Sequence, residues 1–272
     1  MKTLLRPPVK YHGGKYYLCR WIIEYLPNDF DHMIYVEPFG GAASVLLNKK
    51  PSVVEVYNDS EYSIYNLMRI LREEGEEFVC RLKGVKYEKD QYLKFREVYR
   101  SDEFSKLDPL DQAVITYSVK RMSRGGLCGT FCWSSRIYGD GVPGEVHSWQ
   151  SMLPKLPLIT ERLEFVEIRN LDWQEIIDWY DSSRTIFYID PPYLKSTRVF
   201  KKAYINEMSE SDHERLARTL NTVKGKVILS GYPSEFYAKH YSDWRCVEKD
   251  IANHSSHEKV KQKKKECLWL NF

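Results

Sequence analysis

The stretch that most constrains this chain is Ile34-Tyr35-Val36-Glu37-Pro38-Phe39-Gly40-Gly41 followed by Ala42-Ala43-Ser44-Val45-Leu46-Leu47. A short apolar run reads as a buried strand, the double glycine as a turn, and the good helix formers after it as a helix. A second strand, Val53 to Tyr57, ends at Asn58-Asp59, and from Ser60 apolar residues at Ile64, Leu67, Met68 and Leu71 keep a helical period. Strand and helix in alternation predict an α/β fold with a parallel sheet, since parallel neighbours need a crossover between them.

Between about Glu76 and Ile159 the alternation gives way to charged helical stretches and then a segment rich in Gly, Ser and aromatic residues, Ser123 to Trp149. Residues 76–159 therefore read as an inserted subdomain, with 1–75 and 160–272 forming the main domain. Beyond it, Leu163 to Ile168 reads as a strand, Trp173 to Trp179 as a helix, and Thr185 to Ile189 as a strand ending at Asp190. Ser209 with Asp212 three residues later has the spacing of a capping box, and Leu216 and Leu220 continue that helix. Lys226 to Ser230 closes the unit, and Trp244 to Phe272 reads as two strands around a lysine-rich turn.

Composition narrows the function classes. No apolar run approaches the roughly 18 to 20 residues of a membrane span, and Met1 to Lys10 lacks a secretory pattern, so a cytoplasmic protein is expected. In that compartment the six cysteines read as reduced thiols. Cys128, Cys132 and His147 lack a fourth ligand and the usual spacing for zinc, so no metal is expected. The net charge of +3 permits a polyanionic partner without demanding one. Twenty tyrosines and seven tryptophans among many Lys and Arg suit stacking on unpaired bases, although most such rings belong to a core. The run Lys259, Lys261, Lys263, Lys264, Lys265 reads first as a solvated turn and second as a phosphate contact.

Ligands of open α/β sheets bind beyond the carboxyl ends of the strands, which directs attention to Glu37 to Gly41, Asn58-Asp59, Asp190 to Tyr193 and Ser230 to Tyr232. Glycine lets a backbone approach a ligand, and an acid after the second strand can accept both hydroxyls of a ribose. Each also has a plainer reading, as a turn and as a helix cap.

Asp190-Pro191-Pro192-Tyr193 is more pointed. Two prolines remove two backbone donors and hold the chain extended, so carbonyls face outward without ladder partners. The amino group of a flat base is a poor nucleophile because its lone pair is delocalised into the ring. A carboxylate and a carbonyl accepting its two hydrogens would localise that pair, while the tyrosine gives a stacking face. Residue types alone leave this open beside a strand end stopped by prolines, and lean to the latter.

In order along nearly the whole chain stand Lys10-Tyr11-His12-Gly13-Gly14-Lys15, Val36-Glu37-Pro38-Phe39-Gly40-Gly41, Asn58-Asp59 and Asp190-Pro191-Pro192-Tyr193. In these motifs the chain resembles the Dam-like (class alpha) family of DNA adenine-N6 methyltransferases. The resemblance implies a Rossmann-like methyltransferase sheet with an inserted, mainly helical target-recognition subdomain that carries a hairpin. It implies that Tyr11, Lys15, Asp59 and Asp190 bind S-adenosyl-L-methionine, with Phe39 and Gly40 lining the pocket, and that Asp190, Pro191, Pro192 and Tyr193 form the catalytic motif. Tyr11 stands where many members have tryptophan, which keeps an aromatic face.

The hairpin's place falls at Arg121 to Tyr138, with Arg124 and Arg136 as candidate contacts to guanine edges or phosphates of double-stranded DNA. Here the chain departs from the family, with Gly125-Gly126-Leu127 where relatives often have Asn-Gly-Leu. The expected reaction is base flipping followed by direct in-line transfer, without a metal or a covalent protein intermediate. Methylation of a cytosine amino group or of RNA is the nearest rival, and Asp190 favours adenine over cytosine. A silent DNA-binding protein on the same fold is the rival from another class. The sequence leaves open the recognised site, the oligomeric state, and whether a restriction endonuclease accompanies the protein.

Overall fold

The computed structural model describes residues 4–134, 136–137, 141–197, 206–252 and 263–272. Among them the elements follow in the order α1 (Cys19–Ile23), β1 (Ile34–Glu37), β2 (Val54–Asn58), α2 (Tyr62–Glu73), α3 (Gly75–Lys83), α4 (Lys89–Tyr99), α5 (Pro109–Met122), α6 (Gly144–Gln150) and α7 (Leu156–Leu163). There follow β3 (Val166–Arg169), α8 (Trp173–Tyr180), β4 (Thr185–Ile189), α9 (Glu210–Leu220), β5 (Lys226–Gly231), α10 (Glu235–His240), β6 (Arg245–Ala252) and β7 (Lys263–Leu270). The chain packs as two compact units, one of Met1–Arg20, Gly41–Lys49 and Glu61–Asn170, the other of Trp21–Gly40, Lys50–Ser60 and Leu171–Phe272.

The second unit holds the Rossmann-like sheet. Its strands run in the order β2-β1-β4-β5-β7-β6. β2, β1, β4 and β5 are parallel, and β7 is antiparallel to both β5 and β6. The chain goes from β1 to β2 on one side and later returns to β4 on the other, so the order reverses at β1. In open α/β sheets ligands bind at such a reversal, outside the carboxyl ends of the strands, here β1 and β4.

The two faces of this sheet differ in chemistry. One carries Val36, Phe187, Ile189, Val227, Leu229 and Trp269, which pack on Ile176 and Ile177 of α8, Leu216 and Leu220 of α9, and Tyr237 of α10 in a single buried cluster. The register pairs Tyr35 with Ile186, Tyr188 with Ile228 and Ser230 with Leu268. Because side chains alternate, Tyr35, Glu37, Tyr188, Ser230 and Glu266 therefore share the other face. All five are buried there. Polar groups in such a place must find partners. Tyr35 donates to Glu37 at 2.7 Å, and the Tyr188 and Ser230 hydroxyls lie 3.0 Å apart.

The helices begin where their sequences dictate. Ser209 and Asp212 form the reciprocal capping box that opens α9, and Asp172 and Glu175 do the same for α8. In the first unit Asp108 caps α5, accepting from Leu110 N–H at 2.9 Å with Pro109 at the first helical position. α5 is buried at almost every position, so the unit is built around it. Phe78 of α3 meets its Tyr117 edge-on at 5.7 Å, and Trp149 of α6 meets the same ring at 5.3 Å.

Two local expectations are corrected. Ala42 to Leu47 form irregular turns instead of a helix. Gly41 and Ala43 both have positive φ, 49° and 55°, which interrupts the right-handed coil at its first residues. Leu163 ends helix α7 instead of starting a strand, which begins at Val166. Leu156, Ile159 and Leu163 are the buried stripe of that helix, so burial at a helical spacing overrides the apolar run. The tail does form two strands, while Lys259 and Lys261 of the basic run lie outside the described residues.

Candidate active site

The turn after β1 is fixed by its neighbour strand. Glu37 pairs with Tyr57, which brings Phe39-Gly40 and Asn58-Asp59 to the same level beyond the strand ends. Asn58 is fully buried and spends its amide on backbone: Nδ2 donates to Pro38 O at 2.9 Å and Leu171 O at 3.1 Å, and Oδ1 accepts from Leu171 N–H at 2.9 Å. Gly40 N–H adds a bond to Asn58 O at 2.8 Å. Asn58 is thus a clamp on the turn, and Asp59, the residue after β2, is buried beside it.

Gly40 has an intramolecular reason to be glycine. A Cβ there would fall 2.1 Å from the Tyr57 ring, which is wholly buried and has no room to withdraw. Phe39 is half-buried and stacks on Trp173 at 6.1 Å with 28° between the planes, and the Arg215 guanidinium covers Trp173 at 4.6 Å. An acid, Asp59, thus follows the end of β2, and an aromatic ring, Phe39, follows the end of the neighbouring β1.

Asp190 follows the last residue of β4 and is half-buried, with Pro191 buried beside it. Pro192 is half-buried, and Tyr193 is 5 % exposed. Tyr193 donates its hydroxyl to the Glu266 carboxylate, and Tyr232 meets its ring edge-on at 4.7 Å and 80°. Burial, then Glu266 and then Asp190, push the Tyr193 phenol well up from its usual range, so it keeps its proton and stays a donor. Burial, then Asp190, do the same for Tyr188. The second unit thus brings Phe39, Gly40, Asp59 and the Asp190 to Tyr193 motif to one edge of the parallel strands.

Tyr11, Lys15, Arg124 and Arg136 belong to the first unit. Tyr11 lies against Gly41, where an added Cβ would come within 3.0 Å of its ring. Its hydroxyl donates to Glu61 at 3.4 Å, and the Lys120 ammonium sits 4.9 Å over its ring. Lys15 is buried, and its ammonium donates to Gly13 O at 2.8 Å. After α5 the chain folds back on itself, with Arg124 N–H bonded to Thr130 O at 2.9 Å and Cys132 N–H to Met122 O at 2.7 Å. Within the expected hairpin region, the turn from Met122 to Cys132 is closed by one isolated bridge, Ser123 with Phe131, and not by regular strands. Arg124 is exposed on it. Gly126 seats against the Lys10 carbonyl, where a Cβ would fall 2.0 Å from the oxygen. Arg136 is exposed, and Tyr138 lies outside the described residues.

Sequence reasoning missed Glu266, Glu61 and Lys120. Glu266 could have been flagged as an acid in phase with Leu268 and Leu270 on one strand face. Glu61 and Lys120 carry no local signal, because each reads as a charge at the edge or on the face of a helix. Among the described residues no group of three or more His, Cys, Asp or Glu side chains could hold a metal ion, and no helix is long and apolar enough to cross a membrane.

The Type II methyltransferase M.MjaIII of Methanocaldococcus jannaschii is 25% identical over 270 residues, covering 91% of each chain. M1.LlaDCHI of Lactococcus lactis subsp. cremoris, also a Type II methyltransferase, is 25% identical over 89% of this chain and 87% of its own. A solved rRNA methyltransferase, AviRa of Streptomyces viridochromogenes, aligns at 12% identity with a TM-score of 0.33, over 92% of this chain and 80% of that one. The model of the D12 class N6 adenine-specific DNA methyltransferases matches residues 11–262. Because that match spans most of its length, the chain belongs to the D12 class N6 adenine-specific DNA methyltransferases.

Proposed function

We propose that this adenine-specific DNA methyltransferase takes its methyl group from S-adenosylmethionine and acts at Asp190-Pro191-Pro192-Tyr193. The observation that carries the reading is the position of that motif, at the carboxyl end of β4 beside the strand-order reversal at β1. The residues at this edge fit the cofactor's chemistry. Asp59 offers a carboxylate to ribose hydroxyls, and Phe39, packed on Trp173, offers a flat apolar surface beside the Gly40 turn. When bound, S-adenosylmethionine supplies an electrophilic methyl group. For Tyr11 and Lys15 the support is their place in the matched motif, with an aromatic ring held by Lys120 and a lysine suited to a carboxylate.

The protein's own task is to present the amino group. Asp190 accepts one N–H and a neighbouring backbone carbonyl accepts the other, which localises the nitrogen lone pair. The two prolines keep that carbonyl out of any ladder. Tyr193 holds the plane of the base, which leaves the duplex at a cost of a few kcal/mol. No side chain becomes a covalent nucleophile in this scheme.

Residues 76–159 take the recognition role, with Arg124 and Arg136 as contacts to double-stranded DNA. The likeness to two Type II methyltransferases supports a place in restriction and modification; a separate endonuclease partner and a cytoplasmic location are the remaining parts of the proposal. The test is transfer of labelled methyl from S-adenosylmethionine to unmethylated genomic DNA, with identification of the nucleoside. Wild type should yield N6-methyladenine, and Asp190→Ala should lose about 100-fold or more. An Asp190→Ala rate above a tenth of wild type would remove Asp190 from the mechanism.

A further inference from the structure

The motif tyrosine is held at its far end by a residue of strand β7, 73 positions on in the chain. Glu266 lies on β7, is 2 % exposed, and falls beyond residue 262, where the match to the family model ends. β7 reaches this place because it runs antiparallel beside β5, pairing Ser230 with Leu268 and Gly231 with Cys267. The next residue after β5, Tyr232, then sets its ring edge-on against Tyr193.

We infer that Glu266 is a positioning residue for methyl transfer, which anchors the far end of the Tyr193 ring by accepting its hydroxyl proton in a hydrogen bond, while Tyr232 against the ring limits rotation of its plane. The inference rests on the catalytic reading of Asp190 to Tyr193. A tyrosine ring turns about two bonds, and the segment that carries it, Asp190 to Leu194, has no regular secondary structure. Packing limits the first rotation. A hydrogen bond at the para position to a carboxylate on a paired strand restrains the whole ring against tilting, and Tyr232 closes one side.

Such a restraint matters because amino-group transfer depends on the plane of the base. The two acceptors at Asp190 lie in that plane, and the attacking lone pair stands perpendicular to it. Small misplacements of a reacting group are costly in rate while leaving binding nearly intact. The low exposure of Tyr193 adds a second consequence. A base can stack on this ring only if neighbouring side chains yield, and the tether keeps the ring in place when they do. A carboxylate is suited to the purpose, since a hydrogen bond to a charged acceptor is stronger than one to a neutral group.

The experiment measures methyl incorporation into unmethylated genomic DNA with enzyme in excess, alongside S-adenosylmethionine affinity by calorimetry and thermal stability. Tyr193→Phe and Glu266→Leu should each lower the transfer rate about tenfold or more, with cofactor affinity unchanged. Glu266→Gln, which still accepts from the hydroxyl, should recover most of the loss, and Tyr193→Phe/Glu266→Leu should be no slower than the slower single variant. Should Glu266→Leu fail to fold, Tyr193→Phe and Glu266→Gln carry the test, since one removes a single oxygen and the other keeps the shape. A wild-type rate in Tyr193→Phe, or losses that multiply in the double variant, overturns the tether. Asp190→Ala in the same series separates the two readings: if it keeps its rate the catalytic assignment falls, and if it alone is slow only the tether does.

Discussion

Lys120 sits 4.9 Å above the ring of Tyr11 while its ammonium lies 2.8 Å from the Glu61 carboxylate. One buried cation thus satisfies an acid and braces the aromatic residue expected to meet the cofactor. Ser63 donates to Glu61 at 2.7 Å and Tyr99 at 3.2 Å, so the acid is the hub of a buried network. Lys120 stands on α5, and its helix runs directly into the loop that carries Arg124.

Removing the cation alone should be severe. Lys120→Met leaves Glu61 charged in a place where Lys120 and Glu61 expose only 5% and 8% of their side chains. Breaking a buried pair from one side costs about 3–5 kcal/mol, whereas removing both charges costs far less. Urea unfolding should therefore show Lys120→Met/Glu61→Gln to be more stable than Lys120→Met. An ordering in which the double variant is the weaker would mean the pair is not the source of the cost.

Arg124 is exposed on a loop whose backbone is already bonded within itself, through Arg124 N–H and Thr130 O at 2.9 Å. An exposed arginine of this kind is expected to meet a phosphate, the commonest protein contact to DNA. Arg124→Ala should weaken binding alike for cognate and unrelated duplexes, and should lower the slope of log K against log salt by about 1. A loss confined to cognate DNA, with the slope unchanged, would make Arg124 a base reader instead.

The cap of α9 gives a pH dependence with a definite sign. The Ser209 hydroxyl, then the Ser209 backbone, hold the Asp212 carboxyl below its ordinary value of 3.8. A carboxyl whose folded value is depressed contributes its full stability above the ordinary value and loses it as pH falls through the lowered one. Ser209→Ala should cost about 1 kcal/mol at neutral pH. The gap between variant and wild type should narrow below pH 4 in thermal melts, and a gap that widens there would contradict the cap.

What the sequence determined by itself was local. The strand ends, the Asp190 to Tyr193 motif and the Ser209 and Asp212 cap are each written in a few adjacent residues, because a strand's carboxyl end or a helix's first turn is specified there. The alternation of these elements was enough to give the parallel sheet, and parallel order is enough to bring Phe39, Asp59 and Asp190 to one edge. What only the tertiary structure decided involves residues far apart in the chain or conformations that depend on burial. Glu266 reaches Tyr193 only once β7 has paired with β5, and Lys120 reaches Tyr11 only once α5 is the centre of its unit. Ala42 to Leu47 have the residue preferences of a helix, yet Gly41 and Ala43 adopt positive φ within a fully packed segment. Propensity differs by less than about 1 kcal/mol per residue among such residues, so burial decides wherever the two conflict.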